Sequence, residues 1–291
     1  RVVETMPREG ATKARIAELM VGKPVLLNVD NPPAEPGEVI LSVDGISMDR
    51  GEVPVLTEVS FQVRAGEIYG IAGVEGNGQS ELIRAVTDSV QLQAGRVLLR
   101  GTDAGDWDIR QRRDAGVAHI PEDRQRYGLL LPFPISDNLT LGRHHKPPFV
   151  GTLQFRNRKA IEAFSEQAIT DYDIRTPNAR TPADALSGGN QQKLIIAREM
   201  SAQPDLLVAA QPTRGVDIGA MEFIYRQIVA AKKQGKAVLL ISADLDEIMA
   251  LSDRIGVMFK GRIIRELERA ETTKEEVGYF MMGAGEHAAQ A

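Results

Sequence analysis

Three glycines in the stretch Gly73-Val-Glu-Gly76-Asn-Gly78-Gln79-Ser80 restrict what this chain can fold into more than any other feature. The stretch follows the apolar run 69–72 and precedes the run 81–86, which predicts a strand, a glycine loop and a helix in that order. That order belongs to an α/β fold, and it aims the backbone N–H groups at the helix start toward an anion. The spacing is that of G-x-x-x-x-G-K-[ST] except at one position, where Gln79 stands in place of lysine. Gly73, Glu75, Gly76, Asn77 and Gly78 keep the form of a phosphate cradle; Ser80 remains available to magnesium, and Glu81 opens the helix. The cation that would hold terminal phosphates is gone, although Gln79 can still donate a hydrogen bond. Taken alone, a glycine turn that holds no ligand explains the stretch as well.

A second anion site is written at Leu186-Ser187-Gly188-Gly189-Asn-Gln191-Gln-Lys193. Residues 191–200 have helical periodicity, with Leu194, Ile195, Ala197 and Met200 able to face a core. The helix start then combines free N–H groups, the positive end of the dipole and the Ser187 hydroxyl, and Gly188 and Gly189 let a phosphate approach the backbone. Ordinary N-capping by Ser187 is the competing explanation.

With His119-Ile-Pro-Glu-Asp-Arg124 and Ala209-Ala-Gln-Pro-Thr-Arg-Gly-Val-Asp217, these stretches resemble ABC transporter ATPase domains over most of residues 38–283. The resemblance is nearest to the second, C-terminal ATPase domain of bacterial simple-sugar and nucleoside importers, and within these to the nucleoside branch. It implies an α/β P-loop NTPase of the ABC ATPase type, with a RecA-like core, an N-terminal antiparallel β subdomain and an inserted helical subdomain. It also implies ATP and magnesium, mainly at a site shared with a sister domain, where Ser187, Gly188, Gly189 and Gln191 would meet the nucleotide. This chain departs from the family where catalysis would sit. Ala210 and Gln211 replace the usual Asp-Glu, and Ala243 replaces a histidine. An amide cannot accept a proton from water, and losing one preorganised polar group costs about 10²- to 10³-fold in rate. The expectation is therefore that no catalytic residue works in this half. Glu122 takes the place of the glutamine that links nucleotide to permease, and Asp217 falls at the D-loop position, where a helix N-cap is a compatible role. Residues 46–54 lack the usual adenine-stacking aromatic, and Phe61 is expected to face the core. Tyr127, Leu129, Leu130, Leu131, Phe133 and Ile135 could form either a groove for a permease helix or a subdomain core.

The chain also resembles itself. Arg1-Val-Val-Glu-Thr-Met-Pro-Arg8 aligns without gaps on Arg262-Ile-Ile-Arg-Glu-Leu-Glu-Arg269, and Met20-Val-Gly22 on Met281-Met-Gly283. Chance similarity of a short amphipathic segment is the competing account. The expected organisation is the tail of a preceding tandem ATPase domain at 1–30, a proline-rich linker at 31–37, and the ATPase domain at 38–291. Within that domain a helical subdomain is expected at about 123–182 and a strand-turn-helix tail at about 261–283. Residues 38–63 are expected to form short strands with turns, 95–100 a strand, and 158–172 a helix.

No apolar stretch approaches the ~18 residues of a membrane helix, and the net charge of -5 with no basic cluster argues against nucleic acid. The chain has no cysteine, so thiolate metal sites are excluded, and His119, His144, His145 and His287 show no metal-ligand spacing. Structural or solvated roles are expected for these histidines, and packing for Trp107. The implied partners are the preceding ATPase domain of the same polypeptide, integral-membrane permease subunits and, indirectly, an extracellular substrate-binding protein, at the cytoplasmic face of a bacterial membrane. Self-sufficient hydrolysis by a homodimer using Gln79, Ser80 and Gln211, and a regulatory module unconnected with transport, are the alternatives.

Overall fold

The computed structural model describes residues 30–151 and 154–284. The N-terminal copy of the repeat, at 1–29, and His287 lie outside the described residues. Two long strands come first, β1 (Val39–Arg50) and β2 (Val53–Arg64), paired antiparallel. The expectation of several short strands is corrected here. Opposite residues run Val43↔Phe61, Ile46↔Val59 and Met48↔Leu56, so first β1 and then β2 carries one extra residue. These bulges, marked by positive φ at Gly45 and Glu58, and two further register shifts at Val39/Leu41 and Met48/Asp49 move the inward-outward alternation, which in sequence looks like breaks between strands. β4 (Ala94–Leu99) pairs with β1, and the short β5 (Thr102–Asp103) completes a four-stranded antiparallel sheet.

Between the two parts of that sheet the chain enters the main sheet through β3 (Ile68–Ala72), followed by helix α1 (Gln79–Thr87). Helix α2 (Ile109–Asp114), capped by Asp108, leads into β6 (Val117–Ile120). A single π-helical turn at Arg124–Gly128 opens the helical insertion, which contains α3 (Ile135–Thr140) and α4 (Arg158–Asp171). The chain then alternates α5 (Gly188–Met200), β7 (Leu206–Ala210), α6 (Ile218–Lys233), β8 (Ala237–Ser242), α7 (Leu245–Leu251) and β9 (Arg254–Phe259). It ends in β10 (Arg262–Glu268) and α8 (Lys274–Met281). The main sheet has the order β10-β9-β3-β8-β7-β6, parallel except for β10.

β3, β7 and β8 are buried at every residue because both faces of the sheet are covered. Alternate residues feed two cores. Ile68, Leu207, Ala209, Val238 and Leu240 pack with α5 to α8, whereas Tyr69, Ile71, Leu206, Val208, Leu239 and Ile241 pack with α1 and the antiparallel sheet. Phe61 lies in the second core, its ring stacked on Tyr69 at 5.1 Å, and Trp107 packs against the same core. The apolar segment of the insertion divides. Leu129 and Ile135 are buried, Leu131 is half-buried, and Tyr127, Leu130 and Phe133 are 66%, 41% and 50% exposed. Asn138, fully buried, stitches this segment: its Oδ1 accepts from the Leu130 amide, and its Nδ2 donates to the carbonyls of Leu130, Phe133 and Pro134.

The proline-rich stretch 31–37 is extended and fastened to the body. Lys232 Nζ donates to Asn31 Oδ1 (2.8 Å), to the Pro32 carbonyl (2.5 Å) and to Asp253 Oδ1 (2.6 Å), and Asn31 Nδ2 donates to the Leu251 carbonyl. Among the described residues no helix is long and apolar enough to cross a membrane.

Candidate functional site

The loop 73–80 lies at the carboxyl end of β3, and α1 starts directly from it. Gly78 adopts φ +104, and a Cβ there would meet the Val55 carbonyl at 2.8 Å, so the turn into α1 admits only glycine. Asn77 anchors the loop from the other side: its Oδ1 accepts from the Lys260 amide and its carbonyl from the Gly261 amide. Gln79 folds back into this frame. Its Nε2 donates to the Val74 carbonyl at 2.9 Å and lies 2.5 Å from where a Gly73 Cβ would stand, so the amide fills the hollow of the loop. Its Oε1 is buried without a partner, which presents an acceptor where an anion would need a donor. Two carboxylates flank the loop. Glu75 pairs with Arg214 at 2.8 Å, and Glu81, almost buried in the first turn of α1, pairs with Arg50 at the tip of the first hairpin. Gly76 is exposed, and Ser80 is exposed on an open cavity of about 660 Å³ that Arg84, His119, Glu122 and Tyr127 also line. Gln79 presents an unpaired acceptor where a lysine would present a cation, so the loop fits a triphosphate poorly. His119 is held down to about 4 by burial, hence neutral.

At the ends of β7 and β8 stand two alanines, an amide and a hydroxyl. Ala210 is fully buried in the second core. Gln211 adopts φ +45, its amide donates to the Ile241 carbonyl, and Ser242 Oγ stands 3.5 Å from its Oε1. Ala243, half-buried, offers no polar side-chain atom. Beside them lies a group that sequence reasoning missed. Glu247 is buried in the first turn of α7, where it accepts from Thr213 Oγ1 at 2.7 Å, and burial pushes its carboxyl up to about 7 against the pull of the Thr213 and Ser242 hydroxyls.

The start of α5 is built differently. Ser187 has N-cap backbone angles, but its side chain caps nothing; its exposed Oγ accepts from Asn190 Nδ2 at 2.9 Å. The first backbone N–H groups therefore keep their capacity for an incoming acceptor. Gly188 is half-exposed. A Cβ on Gly189 would stand 3.0 Å from both Ala220 Cβ and Asp217 Oδ2, so the close packing of α5 on α6 calls for glycine. Asp217 caps α6 through the Ala220 amide at 2.9 Å. Gln191 is turned inward, its Nε2 donating to the Ala183 carbonyl and its Oε1 accepting from Gln125. The structure thus places it among the supports of the helix start and not at the opening. Ser187, Gly189, Asn190 and Asp217 line a cleft of about 350 Å³, separate from the cavity at Ser80. The two sets of predicted site residues therefore open onto different surfaces. An anion fits the α5 start, with its free N–H groups and hydroxyl, far better than it fits the filled loop.

A parallel sheet with a glycine loop between β3 and α1, a second antiparallel sheet and a helical insertion define the P-loop fold of ATP-binding cassettes. The ABC transporter family model matches residues 56–214, and the chain belongs to that family. It is 44% identical over 283 residues to the guanosine import ATP-binding protein NupO of Bacillus subtilis (strain 168), covering 97% of this chain and 55% of the relative. It is 39% identical over 283 residues to the nucleoside import ATP-binding protein NupA of Lactococcus lactis subsp. cremoris (strain MG1363), covering 97% and 56%. The chain spans about half the length of these curated relatives. Among solved structures it is similar to a nucleotide-free ATP-binding cassette from an ABC transporter, with TM-score 0.66 and 27% identity over 79% of this chain and 92% of that one.

Proposed function

We propose that this chain is a catalytically degenerate ATPase domain of a nucleoside or simple-sugar importer, the C-terminal member of a tandem pair. It lends the α5 start to the ATP site of its sister domain. The observation that carries this reading is the contrast between the two anion sites. The Gln79 amide fills the chain's own loop, while Ser187 Oγ and the uncapped start of α5 stand open. The names of the relatives, and their roughly doubled length, support the importer class and the tandem arrangement.

In this reading Ser187, Gly188 and Gly189 receive the γ-phosphate of ATP held by the sister's phosphate loop. Asp217 holds the start of α6 against Gly189, and Gln191 braces the turn from within. Magnesium at that shared site would neutralise phosphate charge; Ser80 is the residue of this chain's own loop suited to such an ion. Gln79, Ala210, Gln211 and Ala243 take no chemical part, so hydrolysis belongs to the sister. Glu122 lines one cavity with the exposed Tyr127, and the segment continues into the exposed Leu130 and Phe133; this segment would face the permease, at the cytoplasmic face of the membrane. Contact with the extracellular substrate-binding protein is indirect, through the permease.

The test is ATP hydrolysis by this chain alone, by the sister domain alone and by the two mixed. Turnover is expected only in the mixture, and Ser187→Arg should lower it by about 10²-fold or more. Robust turnover by this chain alone would sink the reading and return Gln79 and Gln211 to catalysis.

A further inference from the structure

Arg124 begins the π-helical turn, two residues after Glu122. Its guanidinium clasps another part of the chain: Nη1 donates to the Arg214 carbonyl at 2.6 Å and Nη2 to the Gly215 carbonyl at 3.0 Å. The same Nη2 would lie 2.7 Å from a Cβ on Gly188, so the fork occupies the side-chain space of the first residue of α5. Gly215 adopts φ +66, and its carbonyl stands 3.3 Å from that same Gly188 position. Two residues further, Asp217 caps α6 and borders Gly189. The turn that carries Arg124 runs directly into Tyr127, Leu130 and Phe133, whose apolar side chains are exposed. A single guanidinium thus joins the segment with the exposed apolar side chains, the start of α5 and the turn ahead of α6.

We infer that Arg124 is a positioning residue, through which displacement of segment 122–133 by the membrane subunit reaches Ser187, Gly188, Gly189 and Asp217. The inference rests on the pairing proposed above. A planar fork on two successive carbonyls fixes orientation as well as distance, which a lysine ammonium cannot reproduce. The guanidinium also stands beside the positive end of α5, so an anion bound there offsets both charges and favours the clasped arrangement.

The test uses the full ATPase polypeptide containing this chain, with and without its permease subunits in lipid vesicles. ATP hydrolysis is measured for the parent, Arg124→Lys, Arg124→Ala and Ser187→Arg. Both Arg124 variants should keep their thermal midpoint within a few degrees, while the ratio of permease-bound to free hydrolysis falls toward one. If Arg124→Ala does not assemble, Arg124→Lys decides alone. A parent-like ratio in Arg124→Lys overturns the inference, because charge without the fork then suffices. So does a lowered midpoint with an intact ratio, which marks a residue that only supports the fold. Ser187→Arg reports on the underlying pairing separately: if it hydrolyses ATP like the parent, the pairing fails and the inference falls with it.

Discussion

Glu247 sits in the first turn of α7, where a carboxylate would ordinarily rest in water against the positive helix end. It is instead buried under Thr213, with its carboxyl raised from 4.5 to about 7 by burial. Between those two values the folded chain keeps a proton that the unfolded chain has released. Its contribution to stability is therefore complete below about pH 4.5 and is lost as the pH rises through about 7. His119 works in the opposite direction, since burial lowers its imidazole from 6.5 to about 4 and its contribution is lost as the pH falls below about 6.5. The difference between the parent and Glu247→Gln isolates the carboxyl. Urea unfolding from about pH 5 to about pH 8 should show the parent losing on the order of 2 kcal/mol relative to the variant. Parallel profiles would refute the shift. Nothing in Asp244-Leu-Asp-Glu247 distinguishes this acid from the charges that commonly begin helices. Similarly, Gln79 for lysine is visible in sequence, but the return of its amide into the loop is not, because it depends on the cradle geometry around Gly73 and Val74.

The elements that could be read from sequence are those whose pattern is set by their surroundings on both sides. β3, β7 and β8 are apolar runs because each lies between two cores, and α5 is periodic because it packs on the sheet; the run 69–72 and the periodicity of 191–200 outline β3 and α5 to within a few residues. β1 and β2 were not legible as single strands, because four register shifts along the pair each move the alternation by one residue. The insertion's apolar segment resisted reading for another reason. Burial there depends on Asn138, a polar residue fully enclosed by the loop that it holds. Asn138→Ala should cost about 1–2 kcal/mol, since it takes the acceptor from the Leu130 amide, while the carbonyls of Leu130, Phe133 and Pro134 keep their backbone donors. Amide exchange across 129–134 should quicken in that variant more than exchange in β3 or β8. Uniform acceleration would mean that the segment opens only with global unfolding.

Over the whole molecule, the main sheet couples two cores through single strands, and the start of the stretch 31–37 is tied to α6 by Lys232. Lys232→Met keeps the aliphatic stem but leaves the Asp253 carboxylate, only 13% exposed, without its cation. The expected loss is about 3–5 kcal/mol, with faster proteolysis inside 31–37; an unchanged urea midpoint and cleavage rate would show that the clasp carries no weight. Ala210 is fully buried at the end of β7. An acid placed there would put a charge into the packed end of β7, and on the reading proposed above that cost brings no chemistry while Gln79, Gln211 and Ala243 stay as they are and Glu81 holds Arg50. On that reading, activity at this loop is therefore out of reach of any single substitution and calls for several made together.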